Sequence, residues 1–356
     1  MKNFEERQIP MWKKVTTPAE AEATQKELYA LMRDRLYGVM PAAPAEVRAK
    51  AVGKDTEIAD KTFAGKAKHQ RYRLSFDADK GEAAFEYDYF APDDGKKHPF
   101  FVNICFHGPA GGHYLPAEEI IDRGYGIATF NYDEVSLDAN VWDGIVPFYN
   151  MDRTGRDDWG KIGIWAFAAS RVLDHILTLP EVDPDRVAVI GHSRLGKTAL
   201  WAGANDPRFS LVISNESGCG GAAINRGKVG EALSGMTDVF PYWFSPAMQD
   251  LRGVAPEDLD FDAHDLLALI APRHLLVGSA EGDEWADPQS ELYACRAASP
   301  MWEAYGKTGL VCDSETPVAG KAFHEGFIGY HMRPGSHFMS RTDWNIYMDY
   351  RDKHQI

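Results

Sequence analysis

Cysteine is scarce in this chain: four in 356 residues, Cys105, Cys219, Cys295 and Cys312, far apart and with no C-x-x-C spacing. That spacing argues against a zinc site and against a dense disulfide framework, and leaves room for a single bridge. Positive charge is also short, with 38 Lys and Arg against 53 Asp and Glu and a formal net charge of -15. Nucleic-acid binders and proteins that adhere to anionic membranes need a basic footprint, so neither partner is expected. A small molecule or a glycan is the expected partner; an acidic substrate would need a local cation, for which Arg194 and Lys197 are candidates. No apolar run reaches the ~18 residues of a membrane-spanning helix. The opening MKNFEERQIPMWKK mixes charges of both signs and lacks the apolar core of a secretory leader. A cytoplasmic protein is therefore expected, or a periplasmic or secreted one if a leader has been removed. Internal repeats and low-complexity tracts are lacking as well.

What is present suffices for one large core, with 44% of residues hydrophobic. A single domain over residues 1–356 is expected, with residues 1–65 as an N-terminal arm packed on it. The arm carries a helical pattern from Pro18 to Leu36 and a break at Pro41-Ala-Ala-Pro44. RYRLSF (71–76) and AAFEYDYF (83–90) alternate polar and apolar residues, as antiparallel strands with one exposed face do. Five apolar runs follow, FFVNICF (100–106), YGIATFNY (125–132), RVAVIG (186–191), FSLVIS (209–214) and HLLVGSA (274–280), each suited to a strand buried on both faces. Helical patterns at 162–179 and 195–204 lie between them. Strands alternating with helices predict an α/β fold: a mostly parallel central sheet with helices on both faces.

One strand-to-helix junction carries chemistry. The stretch RVAVIG-His192-Ser193-Arg194-Leu195-Gly196-Lys197 places a serine between glycines at the end of a strand and the start of a helix. Such a turn lifts the hydroxyl above the carboxyl ends of the strands, where backbone N–H groups can stabilise an oxyanion. The general pattern is G-x-S-x-G, whereas here the second glycine comes one place later. The plainer reading of this segment alone is a turn in which Ser193 caps the helix. A serine nucleophile also requires a histidine and an acid, in the α/β-hydrolase order serine, acid, histidine. His337, in Gly335-Ser336-His337-Phe338 before a C-terminal helical pattern (343–351), is the candidate base, with His331 its rival. His107, in HGPAGGH after a strand, is expected to shape the loop beside the oxyanion pocket. Two acids compete: Glu216 in NESGCGG (215–221), which is favoured, and Asp283 in EGDEW (281–285), where most α/β-hydrolases carry theirs.

These segments together resemble carbohydrate esterase family 15, the glucuronoyl esterases, whose nucleophile motif G-[CH]-S-R-x-G-K stands here as Gly191 to Lys197. The resemblance extends through NESGCGGAAINR (215–226), FDAHDLLALIAPRHLLV (261–277), DEWADP (283–288) and the His337 loop, so it spans residues 95–350. His192 stands where extracellular fungal members carry cysteine, as in the bacterial-type pattern. The likeness implies an α/β-hydrolase fold and a cofactor-free, metal-free, monomeric serine esterase acting on esters of glucuronic acid or its 4-O-methyl form. It further implies Ser193 as nucleophile, His337 as base, Arg194 as an oxyanion donor, Lys197 as a ligand of uronate hydroxyls and Trp285 as a wall against the sugar. Glu216 and Asp283 both match positions from which the family draws its acid. Two other readings remain: a deacetylase of acetylated xylan or sugars, and a silent carbohydrate-binding protein on a hydrolase scaffold.

Overall fold

The computed structural model describes residues 2–13, 15–52, 62–106, 115–151 and 153–356. Ten strands form one sheet in the order β1-β2-β3-β5-β4-β6-β7-β8-β10-β9. They are β1 (Arg48–Val52), β2 (Ala67–Ala78), β3 (Gly81–Pro92), β4 (His98–Cys105), β5 (Gly126–Asn131), β6 (Val182–His192), β7 (Leu211–Asn215), β8 (His274–Ala280), β9 (Lys321–Phe323) and β10 (Ile328–Arg333). From β5 to β10 the neighbours run parallel, while β1, β2 and β3 form an antiparallel edge and β9 closes the other side.

The apolar runs occupy the middle of the sheet because side chains alternate between its faces and both faces are covered. Phe100, Val102 and Ile104 of β4 and Val187 and Val189 of β6 enter one core. Phe101, Ala188, Ile190, Leu211 and Ile213 enter the other, under the C-terminal helix Arg341–His354 with its buried Trp344, Tyr347 and Met348. Helix Lys161–Ile176 is buried round most of its circumference, which its nearly unbroken apolar sequence requires. This is the three-layer α/β-hydrolase architecture. The parallel strands aim their carboxyl ends at one edge, where β6, β7 and β8 deliver Ser193, Glu216 and Asp283.

The first helix runs from Pro18 to Met32, started by a capping box between Thr17 and Glu20, and continues as a wider turn over Arg33–Tyr37. Its side chains reach the rest of the molecule. Gln25 donates to the carbonyls of Ala268 and Ala271 at 2.8 Å each, and Tyr37 stacks on Trp201 with ring centroids 4.2 Å apart. The Tyr37 hydroxyl donates to the Gly220 carbonyl at 2.8 Å, in the glycine turn that follows Glu216. All four cysteines carry free thiols, three of them buried. No described helix is long and apolar enough to cross a membrane.

Candidate active site

Ser193 takes a φ of 58°, a conformation that L side chains rarely adopt, at the junction of β6 and helix Arg194–Asn205. Its hydroxyl makes no capping bond to the helix, so the capping reading does not describe it. The flanking glycines explain the shifted motif. A Cβ at Gly191 would lie 2.1 Å from the Leu195 carbonyl oxygen, and one at Gly196 would lie 2.9 Å from Ser217 Cβ and 3.1 Å from the Asn215 carbonyl oxygen. The turn is tight at 191 and 196, while Leu195 between them is free to enter the core. The Ser193 N–H donates to the Asn215 carbonyl at 2.8 Å, tying the elbow to β7.

Ser193 and His337 line one cavity of about 230 Å³ together with Arg194, Lys197, Glu231 and Trp243, and Trp285 stands at its wall. The His337 Nδ1 lies 2.7 Å from Asp283 Oδ2 and 3.3 Å from Glu216 Oε2. Both carboxylates are buried, yet they differ in what else they hold. Glu216 accepts from Arg333 at 2.8 Å and from the Phe338 N–H at 2.9 Å, and burial pushes its carboxyl up to about 7 against the pull of His337 and Arg333. Burial acts on Asp283 in the same direction, but the His337 hydrogen bond and charge and the Ala286 N–H hold it below the ordinary range. Burial alone would lower His337; the two carboxylates outweigh it and carry the imidazole up to about 9. The sequence favours Glu216 as the acid, whereas the shorter hydrogen bond goes to Asp283, with Glu216 as a second carboxylate beside the same nitrogen.

Behind this pair stands an arrangement that sequence reasoning missed. Arg333, at the end of β10, donates to Asp343 at 2.6 Å, to Glu216, and to the carbonyls of Pro334, Ser336 and Phe338. It thereby grips the loop that carries His337. His331 lies on the same strand but is fully buried and bonded to Asp343 at 2.8 Å, and it does not line the cavity that Ser193 and His337 share. His192 faces His337 with ring centroids 4.4 Å apart. Asn215 donates its amide to the Tyr347 hydroxyl, so its oxygen must accept the Nδ1–H of His192 at 2.6 Å. Burial and the adjacent His337 push His192 down to about 3, so it stays neutral.

Each cation of the cavity has a carboxylate. Arg194 donates to Asp138, and Lys197 lies 3.1 Å from Glu231 and 2.8 Å from the Ser217 carbonyl oxygen. Trp243 lies beneath both, 5.0 Å from the Arg194 guanidinium carbon and 5.7 Å from the Lys197 ammonium. Trp285 is 62% exposed, which makes it a rim aromatic and not a core one. Asp138, Glu231 and Trp243 were not read from sequence, since none stands in a periodic pattern or a recognisable spacing. The expectation for His107 falls outside the described residues. His192, Glu216 and His337 offer ligand-type atoms within 4.8 Å of one another, but these groups are engaged by Asn215, Arg333 and Asp283 respectively.

The arrangement is that of an acyl-transferring serine hydrolase, and comparison with known proteins agrees with it. The family model for fungal glucuronyl esterase matches residues 77–306. A carbohydrate esterase from an unknown prokaryotic organism is 31% identical over 99% of this chain and 92% of its own length. The structure of a glucuronoyl esterase from Solibacter usitatus superposes with a TM-score of 0.84 at 31% identity, covering 97% of this chain and 98% of that one. A 4-O-methyl-glucuronoyl methylesterase of Hypocrea jecorina is 30% identical over 82% of this chain, which spans 60% of that protein's length. The chain is a carboxylic ester hydrolase and belongs to the glucuronoyl esterase family, carbohydrate esterase family 15.

Proposed function

We propose that this protein hydrolyses esters of glucuronic acid, or of its 4-O-methyl form, in which the sugar supplies the acyl group. The single observation that carries the reading is the meeting of Ser193, on its strained elbow, and His337, with Nδ1 held by Asp283, in one cavity whose remaining polar lining suits a hydroxylated ring. With Nδ1 committed, Nε2 is the nitrogen left to take the serine proton. Ser193 Oγ attacks the C6 carbonyl carbon, and His337 accepts its proton. The resulting oxyanion is met by the Arg194 backbone N–H, at the start of the helix, and by its guanidinium. As the intermediate collapses, the ester C–O bond breaks and His337 returns the proton to the departing alcohol. Water then repeats the sequence on the acyl-enzyme, releasing the uronic acid and Ser193. The Lys197–Glu231 pair offers a donor and an acceptor to ring hydroxyls, and Trp285 presents an apolar face to the sugar.

The test is hydrolysis of benzyl glucuronate by the wild type and by Ser193→Ala, with acetylated xylose as the comparison ester. Cleavage of the glucuronate ester with a loss of about 10⁴-fold or more in the variant is expected. Cleavage of the acetyl ester alone would keep the serine and overturn the substrate.

A further inference from the structure

Asp138 does not line the cavity, yet its carboxylate holds two residues that do. One oxygen accepts from Arg194 Nη1 and the other accepts the Trp243 indole N–H at 2.7 Å. The side chain is 12% exposed, so this contact is sheltered from bulk water. Trp243 in turn stacks face to face on Phe240 of the cavity wall, with ring centroids 3.8 Å apart. The Arg194 guanidinium also lies over the Phe106 ring, 5.3 Å from its centroid. Its Nε is buried and without a hydrogen-bond partner among the described residues. Aromatic faces attract a guanidinium without fixing its rotation. A carboxylate bonded to one of its nitrogens does fix it.

The loop that delivers Asp138 is itself secured. The Asp143 carboxylate accepts from the Ser136 hydroxyl at 2.8 Å and from the Leu137 N–H at 3.0 Å. The fully buried Lys161 donates to Ser136 and, at 2.6 Å, to the Val141 carbonyl, and Trp165 donates to the Ser136 carbonyl at 2.9 Å. The Asp138 N–H donates to Asp133 at 3.0 Å. These bonds hold the chain on both sides of Asp138.

We infer that Asp138 is a positioning residue: through one carboxylate it orients the Arg194 guanidinium and the Trp243 ring as a unit, so that the oxyanion donor is in place before substrate arrives. The inference rests on the oxyanion role proposed for Arg194. An oxyanion donor acts by pre-orientation, so releasing it should lower the rate of the chemical step more than it weakens ground-state binding.

The experiment is a double-mutant cycle of Asp138→Asn and Arg194→Ala, measuring kcat and KM on benzyl glucuronate with thermal melting as the folding control. Asp138→Asn, nearly isosteric, is expected to lower kcat by about 10- to 100-fold with KM changed less than threefold, and to add less than twofold in the Arg194→Ala background. Independent, multiplying losses would overturn the inference, as would an unchanged kcat in folded Asp138→Asn. If Asp138→Asn does not fold, Trp243→Phe, which removes the tethering N–H together with part of the ring, replaces it. A severalfold loss of kcat that disappears in the Arg194→Ala background supports the unit, and any other result overturns it. An Arg194→Ala variant with wild-type kcat would instead remove the oxyanion role itself, and so separates failure of that reading from failure of this one.

Discussion

His337 sits between two carboxylates that stabilise its charged form, while general-base catalysis needs it neutral. With the imidazole carried up to about 9, kcat/KM should rise with pH beyond the range of an ordinary histidine, along an acid limb set by its deprotonation. Glu216→Gln removes one raising charge and retains one acceptor oxygen, for either Arg333 or the Phe338 N–H. Its acid limb should therefore move about 1 pH unit lower. Asp283→Asn should move the limb in the same direction and also lower the plateau by one or more orders of magnitude, because the nearer acceptor that fixes the imidazole is lost. A pH–rate profile of the two variants separates their roles: a limb that stays put in Glu216→Gln would leave Asp283 as the sole acid. The sequence could place both acids at the sheet edge, because each follows a legible strand. It favoured Glu216 without the information that Arg333, distant in the chain, already occupies that carboxylate.

At the scale of elements, the central strands were legible because each is a short apolar run that has to be buried on both faces. β8 was read with its observed bounds, and β4 to β7 to within a few residues. Three strands escaped, the short edge strands β1 and β9 and, beside the site, β10, IGYHMR, whose His331 and Arg333 look like surface residues. Both are buried because Asp343, the third residue of the C-terminal helix and part of its capping box with Ser340, receives both of them. Local pattern cannot reveal a polar residue whose partner lies on another element. Replacing Arg333 by Met should consequently destabilise the protein by about 3–5 kcal/mol, since Glu216 and Asp343 would remain buried with one partner fewer. Chemical denaturation would measure it, and a change under 1 kcal/mol would mean that the carboxylates simply take up protons. The shifted elbow glycine gives a second, local prediction. Gly196→Ala presses a methyl against Ser217 and the Asn215 carbonyl and should cost about 1–3 kcal/mol, with loss of activity as Ser193 moves.

Over the whole molecule, buried titratable groups set a pH of maximum stability that differs from the pH of maximum activity. Burial pushes His175 and His324 down to about 4 and His192 and His274 down to about 3. The unfolded chain protonates these side chains near pH 6.5 and the folded one does not, so stability falls as pH drops from about 6.5 toward 4. Burial raises Glu216 to about 7 and Glu291 to about 8, and their folded forms retain a proton that the unfolded chain gives up near pH 4.5. They remove stability as pH rises from about 4.5 to 8. His337, raised to about 9, contributes stability that is complete below about 6.5 and is lost on the way to 9. Between pH 4.5 and 6.5 four histidines outweigh two glutamates, and above 6.5 the glutamates and His337 act alone among these groups. The melting temperature should therefore peak near pH 6.5 and decline on both sides. Glu291→Gln, which retains an acceptor for the Gly218 N–H and removes the titration, should flatten the alkaline decline, whereas a profile still rising at pH 8 would contradict the assignment of these groups. On the proposed role of His337 as base for Ser193, its neutral form appears on the side where the fold weakens, so the initial-rate optimum should lie above the stability maximum, and long assays should report a lower optimum than short ones.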